Sequence, residues 1–332
     1  MKLRFITIIS FIMLLAGCSN FLVPPSSRND NLADFERAWA VTDSIYPYFQ
    51  FKHIDWDSVH SVYEPLAQNA SGDEIYRVLF SMLAGLKDGH VGLYTNGSEY
   101  VITYHPPREL RDEFAFDPLV VRNYFTDELK IAGGDRMDYG ITLDSIGYVR
   151  IATFELGDWI NKFDDILVYM KETKGLIIDV RGNDGGSDNQ GEFVIRRLLS
   201  SPLPYPPVYF MGKQVPLPPP IQPWGGINYH EPVVVLMNGT CFSATEDFLD
   251  EIGQVPGVTL VGDTSAGASG APQVFPLPSG RQVRVSTRDI CRYDGTPIEW
   301  NGIIPNVLVT QTESDVRSGR DPQLERAIAI LK

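Results

Sequence analysis

An α/β domain preceded by a small helical domain is the fold class this sequence predicts, and three observations carry that prediction. From residue 145 onward, short runs of consecutive apolar residues alternate with segments whose apolar residues recur at helical spacing. Two of those runs, Gly175–Val180 and Pro232–Asn238, are apolar but for Asp179 and the closing Asn238, as strands covered on both faces tend to be, and each is followed by a tight turn and a helix. Before residue 90 the periodicity is helical alone.

Taken in order, Leu32, Phe35, Trp39 and Ile45 or Tyr46 mark a first helix closed by Pro47. A shorter helix is expected near Ser58–Tyr63. Ser71-Gly-Asp-Glu74 has the form of a capping box, opening a helix with Ile75, Val78, Leu79, Met82 and Leu86 on one face. Residues 30–95 thus read as a helical domain whose end carries Asp88-Gly89-His90, and residues 96–144 as a connecting extended segment. Residues 145–332 form the larger domain. It begins with a strand at Ile146–Phe154 and an amphipathic helix at Trp159–Met170. The buried strand Gly175–Val180 leads through the turn Arg181–Gly186 to a helix near Gln190–Leu199. A proline-rich excursion, residues 200–231, precedes the strand Pro232–Asn238 and a helix ending near Ile252. There follow a strand at Val258–Gly262, a hairpin at Val274–Ser286 turning at Pro278-Ser-Gly280, and a final helix with Asp321 as its cap and Pro322 in its first turn.

The 332 residues carry 28 Lys and Arg against 42 Asp and Glu, a formal charge of −14 with a pI of about 4.8. Such a balance argues against binding nucleic acid or an anionic membrane surface. At the start of the chain, Lys2 and Arg4 precede an apolar run from Phe5 to Ala16, too short for a permanent span of a bilayer about 30 Å thick, so residues 1–17 read as an export signal. Leu15-Ala16-Gly17-Cys18 resembles the lipobox of bacterial lipoproteins, which implies cleavage before Cys18 and a lipid on its thiol. Residues 18–29 become a tether, the loss of Lys2 and Arg4 takes the charge from −14 to −16, and the expected location is the cell envelope of a bacterium, outside the cytoplasm. Contact with the membrane is expected through Cys18 only. In an oxidising compartment Cys241 and Cys291 can pair, or can remain two small buried hydrophobes. The five histidines show no zinc-type spacing, so neither a metal nor a cofactor is expected.

Ser243 stands where a buried strand turns into a helix, a corner at which backbone N–H groups point outward. Alone, a serine there is most often a cap. As an acyl-transfer nucleophile it would use the N–H of Ala244 for the oxyanion, with a second donor from the turn containing Gly185 and Gly186, whose backbones reach conformations closed to other residues. That turn lacks the Lys-Ser/Thr ending of a nucleotide-binding loop.

Four motifs occur in one order: Leu176–Gly186, Asn238–Glu246, Val261–Gly267 and Glu299–Asn306. Together they resemble the tail-specific, or C-terminal processing, serine peptidases. The resemblance implies a spiral of strands and helices like that of Clp-type proteases and crotonases, and a peptide or protein substrate. One branch of that family uses a lysine base in a Gly-Lys-Gly context. Here the matching stretch, Gly262–Gly270, has Gly267-Ala268 and no lysine. The other branch includes tricorn protease and the interphotoreceptor retinoid-binding protein repeats, and its catalytic members take a histidine from the N-terminal part, which His90 matches. Glu299 matches the carboxylate that orients it. The implied catalytic set is Ser243, His90 and Glu299 with Gly185, Gly186 and Ala244 as oxyanion donors. Chemically it is coherent, since a serine hydroxyl needs a base that titrates near working pH and the base needs an acceptor for its other nitrogen. Asp88, Asp184 and Arg181 read as structural, and Glu246 as either the motif's acid or a partner of the helix N-terminus. No segment between Leu93 and Ser145 resembles the PDZ-like module of many relatives. Two other roles remain open on sequence: a noncatalytic relative binding an apolar ligand or peptide, and an envelope scaffold.

Overall fold

The computed structural model describes residues 31–94 and 99–332; the export signal, Cys18 and the tether lie outside the described residues. Three helices come first, α1 (Asn31–Ile45), α2 (Trp56–Asn69) and α3 (Glu74–Ala84). Helix α2 is longer than Ser58–Tyr63 because it runs through Pro65, which sits late in the helix, and Asn69 Nδ2 donates to the Pro65 carbonyl at 2.7 Å. The capping box before α3 is only half formed. Glu74 accepts from both the backbone N–H and the hydroxyl of Ser71, so that hydroxyl donates to the carboxylate and caps no helix N–H.

Beyond His90 come β1 (Gly92–Tyr94) and β2 (Tyr100–Ile102), then two short helices, α4 (Pro107–Asp112) and α5 (Pro118–Val121). Each starts on a proline at its first position, where the missing N–H costs nothing. Strands β3 (Lys130–Ala132) and β4 (Met137–Ile141) follow, so residues 96–144 are no mere extended connection: they hold two helices and two strands of the central sheet. The larger domain continues with β5 (Gly147–Ile151), α6 (Lys162–Tyr169), β6 (Leu176–Asp179), α7 (Asp188–Ile195), β7 (Val208–Phe210), β8 (Lys213–Gln214), β9 (Val233–Met237), α8 (Ala244–Ile252) and β10 (Val258–Gly262). It ends with β11 (Gln273–Pro276), β12 (Gln282–Val285), β13 (Asp289–Ile290), β14 (Val307–Leu308), α9 (Glu313–Arg317) and α10 (Pro322–Leu331).

The central sheet has seven strands in the order β14-β10-β9-β6-β5-β4-β3, parallel from β14 to β5 and antiparallel across β5-β4-β3. Alternate residues of its inner strands enter different cores. Leu176, Ile178, Val233, Val235 and Met237 face α6, α7 and α8, whereas Ile177, Val234 and Leu236 face α10. Burial on both faces is why these strands read as unbroken apolar runs. The hairpin β11-β12 turns where expected, but it belongs to a second sheet, β11-β12-β1-β2, which packs on the helical layer through Val283, Val285 and Leu277. Asp34 of α1, fully buried, accepts from the N–H and hydroxyl of Ser279 and from Arg281, joining chain segments 245 or more residues apart. The helical part and the C-terminal part therefore share a core, and His90 enters the site from one while Ser243 enters from the other.

At the C-terminal end of β6, Arg181 is buried among Asp179, Asp321 and Gln323, with Nη1 2.8 Å from Asp321 Oδ1 and Nη2 2.7 Å from Asp179 Oδ2. This cluster fastens the start of α10 to the sheet. Cys241 and Cys291 are free buried thiols and form no disulfide.

Candidate active site

Two glycine-containing turns converge at the C-terminal ends of the adjacent parallel strands β6 and β9. Ser243 occupies the second turn with φ +56° and ψ −130°, a conformation L residues rarely adopt. The carbonyl of Ala268 fixes it by accepting its N–H at 3.2 Å. Its Oγ lies 2.9 Å from His90 Nε2. His90 is buried, its ring 4.7 Å from that of Phe242 between centroids, and its backbone N–H donates to Asp88 Oδ1 at 2.8 Å. A Cβ on Gly89 would come within 2.8 Å of the Phe242 ring, so any larger residue there would displace that ring.

Burial lowers the His90 imidazole from 6.5 to about 4; Arg284 and Lys52 push the same way and Asp88 opposes them. The imidazole is thus neutral at ordinary pH and able to accept a proton from Ser243.

The first turn presses directly on the second. A Cβ on Gly185 would lie 2.7 Å from the Phe242 carbonyl and 2.8 Å from Ser243 Cβ, and one on Gly186 would lie 2.3 Å from the Phe154 carbonyl. Their φ angles, +95° and +141°, also favour glycine. The N–H groups of Gly186 and Ala244 carry no hydrogen bond among the described residues and can serve an anionic oxygen. Gly185, expected as a donor, is not free: its N–H is committed to Asn183 Oδ1 at 2.9 Å.

Glu299 is buried near His90, but the expected hydrogen bond between them is absent. His90 Nδ1 has no hydrogen-bond partner among the described residues, and Asp88 Oδ2 has only the Lys52 ammonium, 4.0 Å away. Glu299 instead accepts from Lys52 Nζ at 2.5 Å and from the Ser269 N–H at 3.3 Å. A buried carboxylate needs a counter-charge, and Lys52 supplies it. A cavity of about 780 Å³ opens over Ser243 and His90, walled by Gly186, Phe242 and Arg284 and rimmed by Glu109 and Glu113.

The family model of peptidase family S41 matches residues 145–309, and that of the tricorn protease C1 domain matches residues 27–84. A solved structure of a candidate peptidase from Parabacteroides merdae ATCC 43184 is 32% identical, with a TM-score of 0.80 over 91% of this chain and 96% of that one. The chain belongs to peptidase family S41. Carboxy-terminal processing protease CtpB of Bacillus subtilis is 25% identical over 174 residues, 51% of this chain and 35% of that protein. Tricorn protease homolog 1 of Streptomyces coelicolor is 29% identical over 194 residues, 56% of this chain and 16% of that protein. The chain therefore spans about a third or less of these two curated relatives.

Ala268, at the site of the missing lysine, belongs to a loop held by Glu246, which accepts from Ser265 Oγ and from the N–H groups of Gly267 and Ala268 at 2.8 and 2.7 Å. Burial raises the Glu246 carboxyl to about 7 despite those bonds. Glu246 thus positions the loop whose Ala268 carbonyl holds Ser243. Arg181 is part of the buried cluster under α10. Asp184 lines the cavity, and burial raises its carboxyl.

Two residues escaped the sequence reading. Asn183 joins the turns: its side-chain oxygen accepts from Gly185 N–H and Thr245 Oγ1, and its carbonyl accepts from Phe242 N–H. Lys52 lies 247 positions from Glu299 and belongs to none of the motifs. Among the described residues no group of three or more His, Cys, Asp or Glu stands ready to hold a metal ion, and no helix is long and apolar enough to cross a membrane.

Proposed function

We propose that this chain is a serine peptidase acting on peptide or protein substrates. The observation that carries the reading is the 2.9 Å contact between Ser243 Oγ and the buried, neutral His90 at the floor of an open cavity. Ser243 attacks the scissile carbonyl while His90 takes its proton. The N–H groups of Gly186 and Ala244 hold the oxyanion, His90 returns the proton to the leaving amine, and water activated by His90 releases the acyl group. The charge of Asp88 acts on the imidazole and favours the imidazolium as it forms, against the opposing charges of Arg284 and Lys52. The test is digestion of a mixed peptide library, followed by mass spectrometry. New termini should appear with the wild type and be missing with Ser243→Ala; equal digestion by both proteins overturns the assignment.

The reading extends to location. The Lys2–Ala16 segment and Cys18 support export and a lipid anchor on the cell envelope. Metabolic labelling with a fatty acid should mark the wild type and not Cys18→Ala.

A further inference from the structure

We infer that Lys52 is a positioning residue of the active site, clamping Glu299 to the turn that carries His90 and supplying the positive charge this buried carboxylate needs. The inference rests on the peptidase reading of Ser243 and His90. The Lys52 side chain is fully buried in the segment between α1 and α2. Its Nζ donates to Glu299 Oε1 at 2.5 Å and to the carbonyls of Leu86 and Lys87 at 3.0 and 3.1 Å, and it stands 4.0 Å from Asp88 Oδ2. All three ammonium donors are used. The rings of Tyr46, Tyr48 and Trp300 stand 5.0–5.6 Å from Nζ and close the site to water.

A buried ammonium is costly unless well paired, and this one is paired only to groups that lead into the site. Leu86 and Lys87 begin the turn that delivers Asp88 and His90. Glu299 begins the loop whose Trp300 indole donates back to the Lys87 carbonyl at 3.0 Å. Lys52 therefore joins the loop of the base to the loop of the distal carboxylate.

The charged or titratable groups facing Glu299 are Lys52, Tyr46 and Tyr48 from the helical layer, Asp88 from the His90 turn, and Tyr104 before α4. Burial and the charge of Asp88 push the Glu299 carboxyl well up, and Lys52 pulls it back through charge and hydrogen bond. The three tyrosines are themselves shifted upward, so they stay neutral through the neutral range. Without Lys52 the Glu299 carboxyl is pushed higher still and holds its proton to higher pH than in the wild type.

The test is the rate of fluorophosphonate labelling at Ser243 between pH 6 and 10, per folded molecule, in wild type, Lys52→Met, Glu299→Gln and the double variant. Near pH 7, Lys52→Met should label about tenfold more slowly, close to the rate of Glu299→Gln, because residues that act as a unit are not additive. Its rate should climb as rising pH ionises Glu299, while Glu299→Gln and the double variant show no such climb. The double variant, which removes both charges of the pair and so folds more readily, should be no slower than Glu299→Gln. A Lys52→Met rate equal to wild type, or a loss that pH does not relieve, overturns the inference and leaves the peptidase reading intact. So does a double variant much slower than Glu299→Gln, which decides the matter if Lys52→Met does not fold. Wild type that is folded and unlabelled overturns both.

Discussion

The protonation of His90 controls whether Ser243 can give up its proton, so pH is the perturbation that probes the site without altering a residue. Burial, aided by Arg284 and Lys52, takes the imidazole from 6.5 to about 4. At pH 5 a group with a pKa near 4 is about nine-tenths neutral, whereas one at 6.5 is only about 3% neutral. Labelling of Ser243 by a fluorophosphonate at pH 5, relative to its own plateau, should therefore run roughly 30-fold faster than an ordinary histidine allows. The assay is the pseudo-first-order labelling rate from pH 3.5 to 9, with circular dichroism to confirm the fold at each point. Its half-maximum should lie near pH 4, and Arg284→Met, which removes a positive charge facing the imidazole, should move it upward. A half-maximum near 6.5 in folded protein would refute the argument from burial.

The same shift has a stability counterpart. Because the native imidazole binds its proton less readily than the unfolded one, the stability tied to His90 is fully present above pH 6.5. It is lost as pH falls from 6.5 through 4. A shift of that size corresponds to about 3 kcal/mol. Glu246 at about 7, Asp250 at about 6 and Glu251 at about 8 act in the opposite sense, their raised values costing stability as pH rises. The His90 contribution is therefore read as the difference between urea midpoints of wild type and His90→Asn, which should widen from pH 4 to pH 7.

Four substitutions separate chemistry from scaffold. Ser243→Ala should lower turnover at least about 10³-fold while changing stability by less than about 1 kcal/mol, since it removes one hydroxyl and leaves the backbone turn as it is; urea melts and peptide digestion check the pair of effects. Gly186→Ala drives a methyl into the Phe154 carbonyl and should cost about 3 kcal/mol along with the labelling of Ser243. Gly182→Ala, whose Cβ would meet nothing nearer than 3.7 Å, should cost only the strain of φ +76°, about 1 kcal/mol, and leave labelling intact. Arg181→Met strands the buried carboxylates of Asp179 and Asp321 and should cost about 3–5 kcal/mol in urea unfolding, with exposure of α10 to proteolysis.

What could be read from the sequence was whatever local pattern dictates. The inner strands were legible because burial on both faces demands unbroken apolar runs, and the Ser243 corner because β9 ends abruptly in a helix start. His90 was legible from the resemblance carried by the later motifs, and Gly186 from the need for a close backbone approach. The misses follow from non-local physics. Residues 96–144 read as an extended connection, yet Pro107 and Pro118 start α4 and α5, and α2 continues through Pro65 past its expected end. The pairing of β1 with β12, nearly two hundred residues apart, has no local signal and merges what looked like separate domains. Glu299 was found, but its partner was not. No spacing rule announces that a lysine between two helices will neutralise a carboxylate at the other end of the chain. Asn183 was hidden in the same way, and Glu246 was seen but not its role, since both satisfy groups of other loops.

The central claim is that Ser243 is activated by His90, and fluorophosphonate labelling of the purified protein with peptide mapping tests it most directly. The account predicts one adduct, on Ser243, formed rapidly by the wild type and lost in His90→Ala. Folded wild-type protein that forms no adduct, or a His90→Ala variant that labels at the wild-type rate, would contradict it.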